Sequence, residues 1–308
     1  MDKQVKAAII AIAVIIPISS ILVWNSNQSI SSPVPSINEQ KIIVIASFYP
    51  LYEFTKNVGG DKVEVSQLIP FGIEPHDWEP TVKDLQKLQQ ADLVVINGVG
   101  FESWVDDFES IESNAIIVDT SNGISIIEEL DEHNDHGSFG DPHIWLNPVM
   151  AQKQVENITY ALIAIDPTNK DYYNNNANSY IEKLNVLDKK ITKELSMCEK
   201  KDFIAFHEAF TYFADQYGLN QHTILESIDP HTEPTSKTLE NVINLAKNLD
   251  LNVIFTEETV DIRTSEVIAK EINGKVLVLS PLEIGDDNTS YIEKMEQNLL
   301  HLQEALCN

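Results

Sequence analysis

Phe203-Ile204-Ala205-Phe206-His207-Glu208-Ala209-Phe210, running on through Phe213 to Tyr217-Gly218, decides the fold. Four apolar residues of strand type stop at a histidine; Phe210, Phe213 and Tyr217 then recur at helical spacing, and Gly218 ends the run. A strand that hands over to a helix in this way is the repeating unit of parallel α/β sheets. Ligands of such sheets sit beyond the carboxyl ends of the strands, and His207 falls at that position.

The same alternation extends in both directions. Candidate strands are Ile42 to Ala46, Val63 to Leu68, Leu93 to Asn97 and Ile116 to Val118 in the first half, and Phe203 to Phe206, Thr223 to Leu225, Val253 to Thr256 and Val276 to Leu279 in the second. Two groups of four predict an α/β protein of two three-layer lobes with mainly parallel sheets. Between them Tyr173, Ala177, Tyr180, Leu184, Leu187 and Ile191 follow the period of one apolar helix face. A helix over Thr168 to Ser196 would run roughly 43 Å and join the lobes as a rigid spine. The expected division is 41–167 for the first lobe, 168–196 for the linking helix and 197–308 for the second lobe.

Ahead of the lobes, Ala7 to Trp24 carries no charge and follows Lys3 and Lys6. As a helix it would reach roughly 27 Å, just enough for a hydrocarbon core. Residues 1–24 therefore read as an export signal or membrane anchor with a cytoplasmic N-terminus, an uncleaved anchor fitting better because no small-residue cleavage pattern follows. Residues 25–40, rich in Ser, Asn and Pro, read as a disordered linker. Lys and Arg number 21 against 48 Asp and Glu, a net charge of -27, which repels nucleic acid and anionic headgroups. Only Cys198 and Cys307 occur, so neither a disulfide-rich scaffold nor a four-cysteine zinc site is available. Outside a reducing cytoplasm these two could pair and tie the start of the second lobe to its last helix.

Two further histidines stand in stiff, aromatic-flanked segments like that of His207. His76 lies in Glu74-Pro75-His76-Asp77-Trp78-Glu79-Pro80, and His143 in Asp141-Pro142-His143-Ile144-Trp145-Leu146-Asn147-Pro148. Imidazole nitrogen suits zinc and its neighbours, and ligands drawn from distant segments imply a cation held where parts of a fold meet. Glu128 to His136 concentrates acidic residues with His133 and His136, either a weak auxiliary metal loop or a solvated acidic one. His222, His231 and His301 have no comparable setting and read as surface residues.

With these motifs, the opening Ala46-Ser47-Phe48-Tyr49-Pro50-Leu51 and the segment Phe255-Thr256-Glu257-Glu258, the chain resembles the zinc and manganese substrate-binding proteins of ABC importers, the cluster A-I family. The likeness runs from Lys41 to the C-terminus. It implies one metal ion in a cleft between the lobes, no catalysis, a monomer on the extracytoplasmic face, and delivery to an ABC permease with its ATPase. His76 and His143 would come from the first lobe and His207 from the second. Many members place an Asp in the last strand-to-helix loop, where this chain has Leu279-Ser280-Pro281-Leu282-Glu283. The resemblance to zinc-type members makes Glu283 the first choice for fourth ligand, with water or Glu74 behind it. Three imidazoles favour Zn2+ over Mn2+. The competing readings are a manganese-binding member, a zinc hydrolase with Glu208 as base, for which the sequence lacks a His-Glu-x-x-His, and an adhesion or scavenging protein on the same fold.

Overall fold

The computed structural model describes residues 41–76, 78–128, 140–225, 234–286 and 288–307. The expected anchor, the linker, all of the acidic loop after Glu128, and His231 lie outside the described residues. Among the described residues no helix is long and apolar enough to cross a membrane.

The first half is a four-stranded parallel sheet of β1 (Ile42–Ala46), β2 (Val63–Gln67), β3 (Leu93–Ile96) and β4 (Ile116–Asp119), in the order β2-β1-β3-β4. Its register pairs Val44 with both Val65 and Leu93, and β3 is buried along its whole length. That explains why Leu93-Val94-Val95-Ile96 is an unbroken apolar run. Helices α1 (Tyr49–Gly59), α2 (Val82–Leu88) and α3 (Val105–Glu109) connect these strands. The chain then enters α4 (Pro148–Ile165), which starts where Pro148 needs no N–H partner and Asn147 accepts from the amides of Val149 and Met150.

The linking helix is α5, Lys170–Ser196. It begins two residues later than Thr168 because Pro167–Asn169 winds as a tight 3-10 turn. Asp166 caps that turn, accepting from Asn169 N at 3.3 Å and from the Tyr173 hydroxyl at 2.9 Å. Every member of the expected apolar stripe, Tyr173 through Ile191, is buried, with Leu195 added. The stripe packs against α4 and α1 of the first half and α9 (Tyr291–Leu306) of the second, so one hydrophobic core runs along the spine from Val44 to Leu306. Trimming Leu184, which is fully buried there, to Ala would cost about 2–5 kcal/mol.

The second half is arranged differently from the first. Its strands form two parallel pairs, β5 (Asp202–Ala205) with β6 (Asn220–Thr223) and β7 (Val253–Thr256) with β8 (Lys275–Val278), and β5 packs beside β7. Strand β6 also starts earlier than Thr223. Its residues Asn220, Gln221 and His222 are polar because the strand lies at an edge and is only half-buried, so apolar patterning finds only its end. Ile224 and Leu225 still donate to Ala205 and Phe206 at 3.0 and 2.9 Å. Helices α6 (Thr211–Tyr217), α7 (Ser236–Asn248) and α8 (Ile262–Glu271) complete this half. Cys198 and Cys307 are disulfide-bonded, which ties the exit of α5 to the end of α9.

Candidate metal centre

Each of the three histidines stands on a connection that leaves a strand at its carboxyl end. The loop after β2 continues the ladder through Leu68 and Ile69, which donate to Ala46 and Ser47, then turns at Pro70-Phe71-Gly72-Ile73. Gly72 supplies the positive φ of 83° that this turn requires. His76 follows. His143 lies between the β4 connection and a 3-10 turn, Ile144–Leu146, and its loop is held from below. Asn97, at the end of β3, donates to the Pro142 carbonyl at 2.9 Å and accepts from Gln154 at 3.0 Å. Beneath Asn97 the buried Glu102 carboxylate accepts from Ser47 Oγ and from the amides of Asn97 and Gly98, although burial pushes its carboxyl up to about 7. His207 comes directly after β5 and Phe206.

These three rings and Glu283 converge. Glu283 Oε1 is 3.1 Å from His76 Nε2, 3.3 Å from His143 Nε2 and 3.8 Å from His207 Nε2, while His143 and His207 Nε2 are 3.4 Å apart. One donor atom from each of the four lies within 4.8 Å of all the others. Four ligands at 2.0–2.1 Å around a tetrahedral zinc are separated by about 3.3 Å, so the cluster has nearly the spacing a zinc ion imposes. Glu283 Oε2 is buried, and the neighbouring Glu74 carboxyl hydrogen-bonds the Glu283 side chain.

Two of the rings are braced. His143 Nδ1 donates to Asp141 Oδ1 at 2.7 Å and His207 Nδ1 to Glu257 Oε1 at 2.6 Å, all four side chains being buried. Each carboxylate fixes the proton on Nδ1 and turns the Nε2 lone pair toward the cluster, the arrangement that orients and strengthens imidazole ligands. Burial opposes charge on His143, but the Asp141 and Glu283 carboxylates outweigh it and push its pKa up to about 10. Burial likewise raises Glu257, with the His207 interaction opposing. Burial would also raise Glu283, yet the charge of His76 and hydrogen bonds from His143 and His76 hold it well below the usual carboxylate range. His76 differs from the other two: its ring packs edge-on against Phe101 at 5.0 Å and it alone reaches solvent, with 8% of its side chain exposed.

Glu283 rides on a turn fixed residue by residue. Ser280 Oγ accepts from Leu282 N at 3.2 Å, Leu282 adopts a φ of 58°, and the Pro281 carbonyl accepts from the Trp145 indole at 2.7 Å. Downstream, Gly285 lies so close to the Tyr49 ring that a β-carbon would overlap it. Ser280 is thus spent on backbone and does not join the cluster. Glu74 stays outside it as well: Oε1 accepts from the amide of His76 at 3.2 Å, and burial together with the Glu283 charge pushes its carboxyl up to about 9.

His222 pairs with Asp202 at 2.9 Å and His301 bonds the Val278 carbonyl at 2.6 Å, both away from the cluster. Neither Asp141 nor Glu257 was assigned a role from sequence. The available signal was slight: Asp141 precedes His143 by two residues, and Glu257 directly follows β7, which packs beside β5.

A family model for the periplasmic zinc-uptake complex component A, ZnuA, matches residues 44–305. The chain is 42% identical over 281 residues to the high-affinity zinc uptake system protein ZnuA of Bacillus subtilis (strain 168), covering 86% of this chain and 88% of that protein. It is 36% identical over 280 residues to the zinc-binding lipoprotein AdcA of Streptococcus pneumoniae serotype 4 (strain ATCC BAA-334 / TIGR4), of which it spans 56%. The crystal structure of the Zn(II)-bound ZnuA-like domain of Streptococcus pneumoniae AdcA matches with a TM-score of 0.77 at 34% identity, over 87% of this chain and 100% of that one.

Proposed function

The chain belongs to the zinc-uptake complex component A family, and on that premise we propose that it captures one zinc ion outside the cytoplasm and hands it to an ABC permease. His76, His143, His207 and Glu283 are the ligands in this reading. The observation that carries it is the convergence of one donor atom from each of three histidines and a glutamate within 4.8 Å of one another, close enough to share one ion. Zinc is the cargo, and the protein's work is to strip it of water and hold it until docking.

In this reading the charge balance does that work. Zinc displaces the protons carried by the cluster and takes over the attraction that the imidazoles exert on Glu283, while Asp141 and Glu257 keep two rings aimed inward. The ion enters and leaves past His76, the one ring with solvent contact. The segments 41–167 and 197–308 act as the two lobes, with α5 as a spine too well packed to hinge, so loading tilts the lobes slightly and orders loops. The N-terminal segment tethers the monomeric protein to the membrane near its permease.

Manganese is the poorer cargo, because that ion favours six oxygen-rich ligands over three nitrogens and one oxygen. Asp141 and Glu257, the carboxylates hydrogen-bonded to His143 and His207, are occupied with Nδ1 protons and do not serve as the base of a hydrolase. The test is metal analysis of the purified protein with competitive titration against a chromophoric chelator. One zinc per chain, lost by orders of magnitude in His207→Ala, is the expected result; a His207→Ala protein with unchanged affinity sinks the reading.

A further inference from the structure

The carboxylate of Glu283 meets three rings from a segment that is neither helix nor strand, so something else must aim it. Asn298, in the middle of α9 and 3% exposed, grips Ser280 from both sides. Its Oδ1 accepts from Ser280 N at 2.9 Å and its Nδ2 donates to the Ser280 carbonyl at 2.7 Å. Ser280 passes the constraint on, since its hydroxyl accepts from Leu282 N, and Leu282 stands in the left-handed region immediately before Glu283. A side-chain amide is the one short group that offers a donor and an acceptor side by side. Aspartate would set a second acceptor against a carbonyl, and leucine would leave two buried backbone groups without partners.

We propose that Asn298 is a positioning residue for metal selectivity: by clamping Ser280 it holds the turn so that Glu283 presents one oxygen to a four-coordinate ion. This rests on the zinc-capture reading. Four-coordination is the property that separates zinc from manganese, and it survives only while Glu283 cannot swing to chelate with both oxygens or admit water. Asn298 touches none of the four donors. It acts through its two hydrogen bonds to Ser280, three positions before Glu283, and its setting among Tyr291, Met295, Leu299 and Leu302 on the buried stripe of α9 hides it from any motif search.

The experiment compares the wild-type protein with Asn298→Leu, Ser280→Ala, Glu283→Ala and the double variant Asn298→Leu/Glu283→Ala. Zinc and manganese affinities are read by competition, and cobalt-substituted proteins by their visible absorption, which is intense for a tetrahedral ion and weak for an octahedral one. Asn298→Leu should lose roughly 10- to 100-fold in zinc affinity, the usual scale for partners just outside a metal site, and less for manganese. Its cobalt band should weaken, and the double variant should bind zinc no worse than Glu283→Ala alone. Ser280→Ala should move in the same direction by less, and it decides the matter if Asn298→Leu does not fold. A folded Asn298→Leu with the wild-type cobalt spectrum and zinc-to-manganese ratio overturns the inference, as does a double variant much weaker than Glu283→Ala. A wild-type protein that fails to bind zinc would instead overturn the capture reading beneath it.

Discussion

The indole of Trp145 donates to the carbonyl of Pro281 at 2.7 Å across a sequence separation of 136 residues, joining the segment that carries His143 to the turn that carries Glu283. Trp145 is fully buried, and its own carbonyl accepts from Tyr291 at 2.6 Å. Two of the four donors therefore move together. Trp145→Phe keeps most of the apolar volume but leaves the Pro281 carbonyl without its partner, which should cost about 1–3 kcal/mol of stability. A denaturant midpoint unchanged by this substitution would show that the bond contributes nothing.

Asp141 and Glu257 should matter to affinity without touching the ion. Asp141→Ala and Glu257→Ala free one ring each and should weaken zinc binding by roughly 10- to 100-fold. Asp141→Asn, which retains an oxygen for Nδ1, should lose less than Asp141→Ala. Chelator competition measures both comparisons, and equal losses for Asn and Ala would mean that charge alone, not ring orientation, is what Asp141 supplies.

The pH response has a definite sign. In the metal-free protein His143 is raised to about 10 from its ordinary 6.5, so its contribution to stability is full below 6.5 and disappears as pH rises through 10. Glu283 is depressed, so its contribution is present above its ordinary 4.5 and is lost as pH falls through its folded value. With His143 as a ligand in the zinc-capture reading, zinc displaces its proton, so affinity should climb with pH over the same range in which metal-free stability declines. Calorimetry in buffers of different ionisation enthalpy should find at least one proton released per zinc at pH 7, and no release would exclude a protonated cluster.

Reduction of the Cys198–Cys307 disulfide should destabilise the fold while sparing the site. The bond closes a loop of 109 residues, for which the chain-entropy treatment gives about 4–5 kcal/mol as an upper figure. A lower melting temperature with near-native zinc affinity is expected after reduction and alkylation. Loss of tight binding in a still-folded, alkylated protein would tie the disulfide to the centre itself.

Periodic features were the ones readable in the sequence. The stripe from Tyr173 to Ile191 repeats often enough to fix α5 to within two residues, because burial along a spine leaves a regular trace. The three histidines were readable because proline and aromatic neighbours mark stiff segments at strand ends. Strand β6 was misplaced because a half-buried edge strand need not be apolar. Glu283 was reachable only through family resemblance, since its reach depends on Leu282 taking a left-handed conformation that no local pattern announces. Asp141, Glu257 and Asn298 act through contacts that exist only once distant segments meet.

The donors at His76 and Glu283 are 207 positions apart, and those at His143 and His207 are 64 apart. An unfolded chain has no such cluster to offer, so zinc should bind the native form far more tightly, and its concentration then sets how rarely the protein opens. At one hundred times the dissociation constant the added protection is about 2.7 kcal/mol, roughly a hundredfold fewer openings. A protease working on the open form should therefore clear empty protein faster than loaded protein, giving the receptor a lifetime that follows the metal supply it samples.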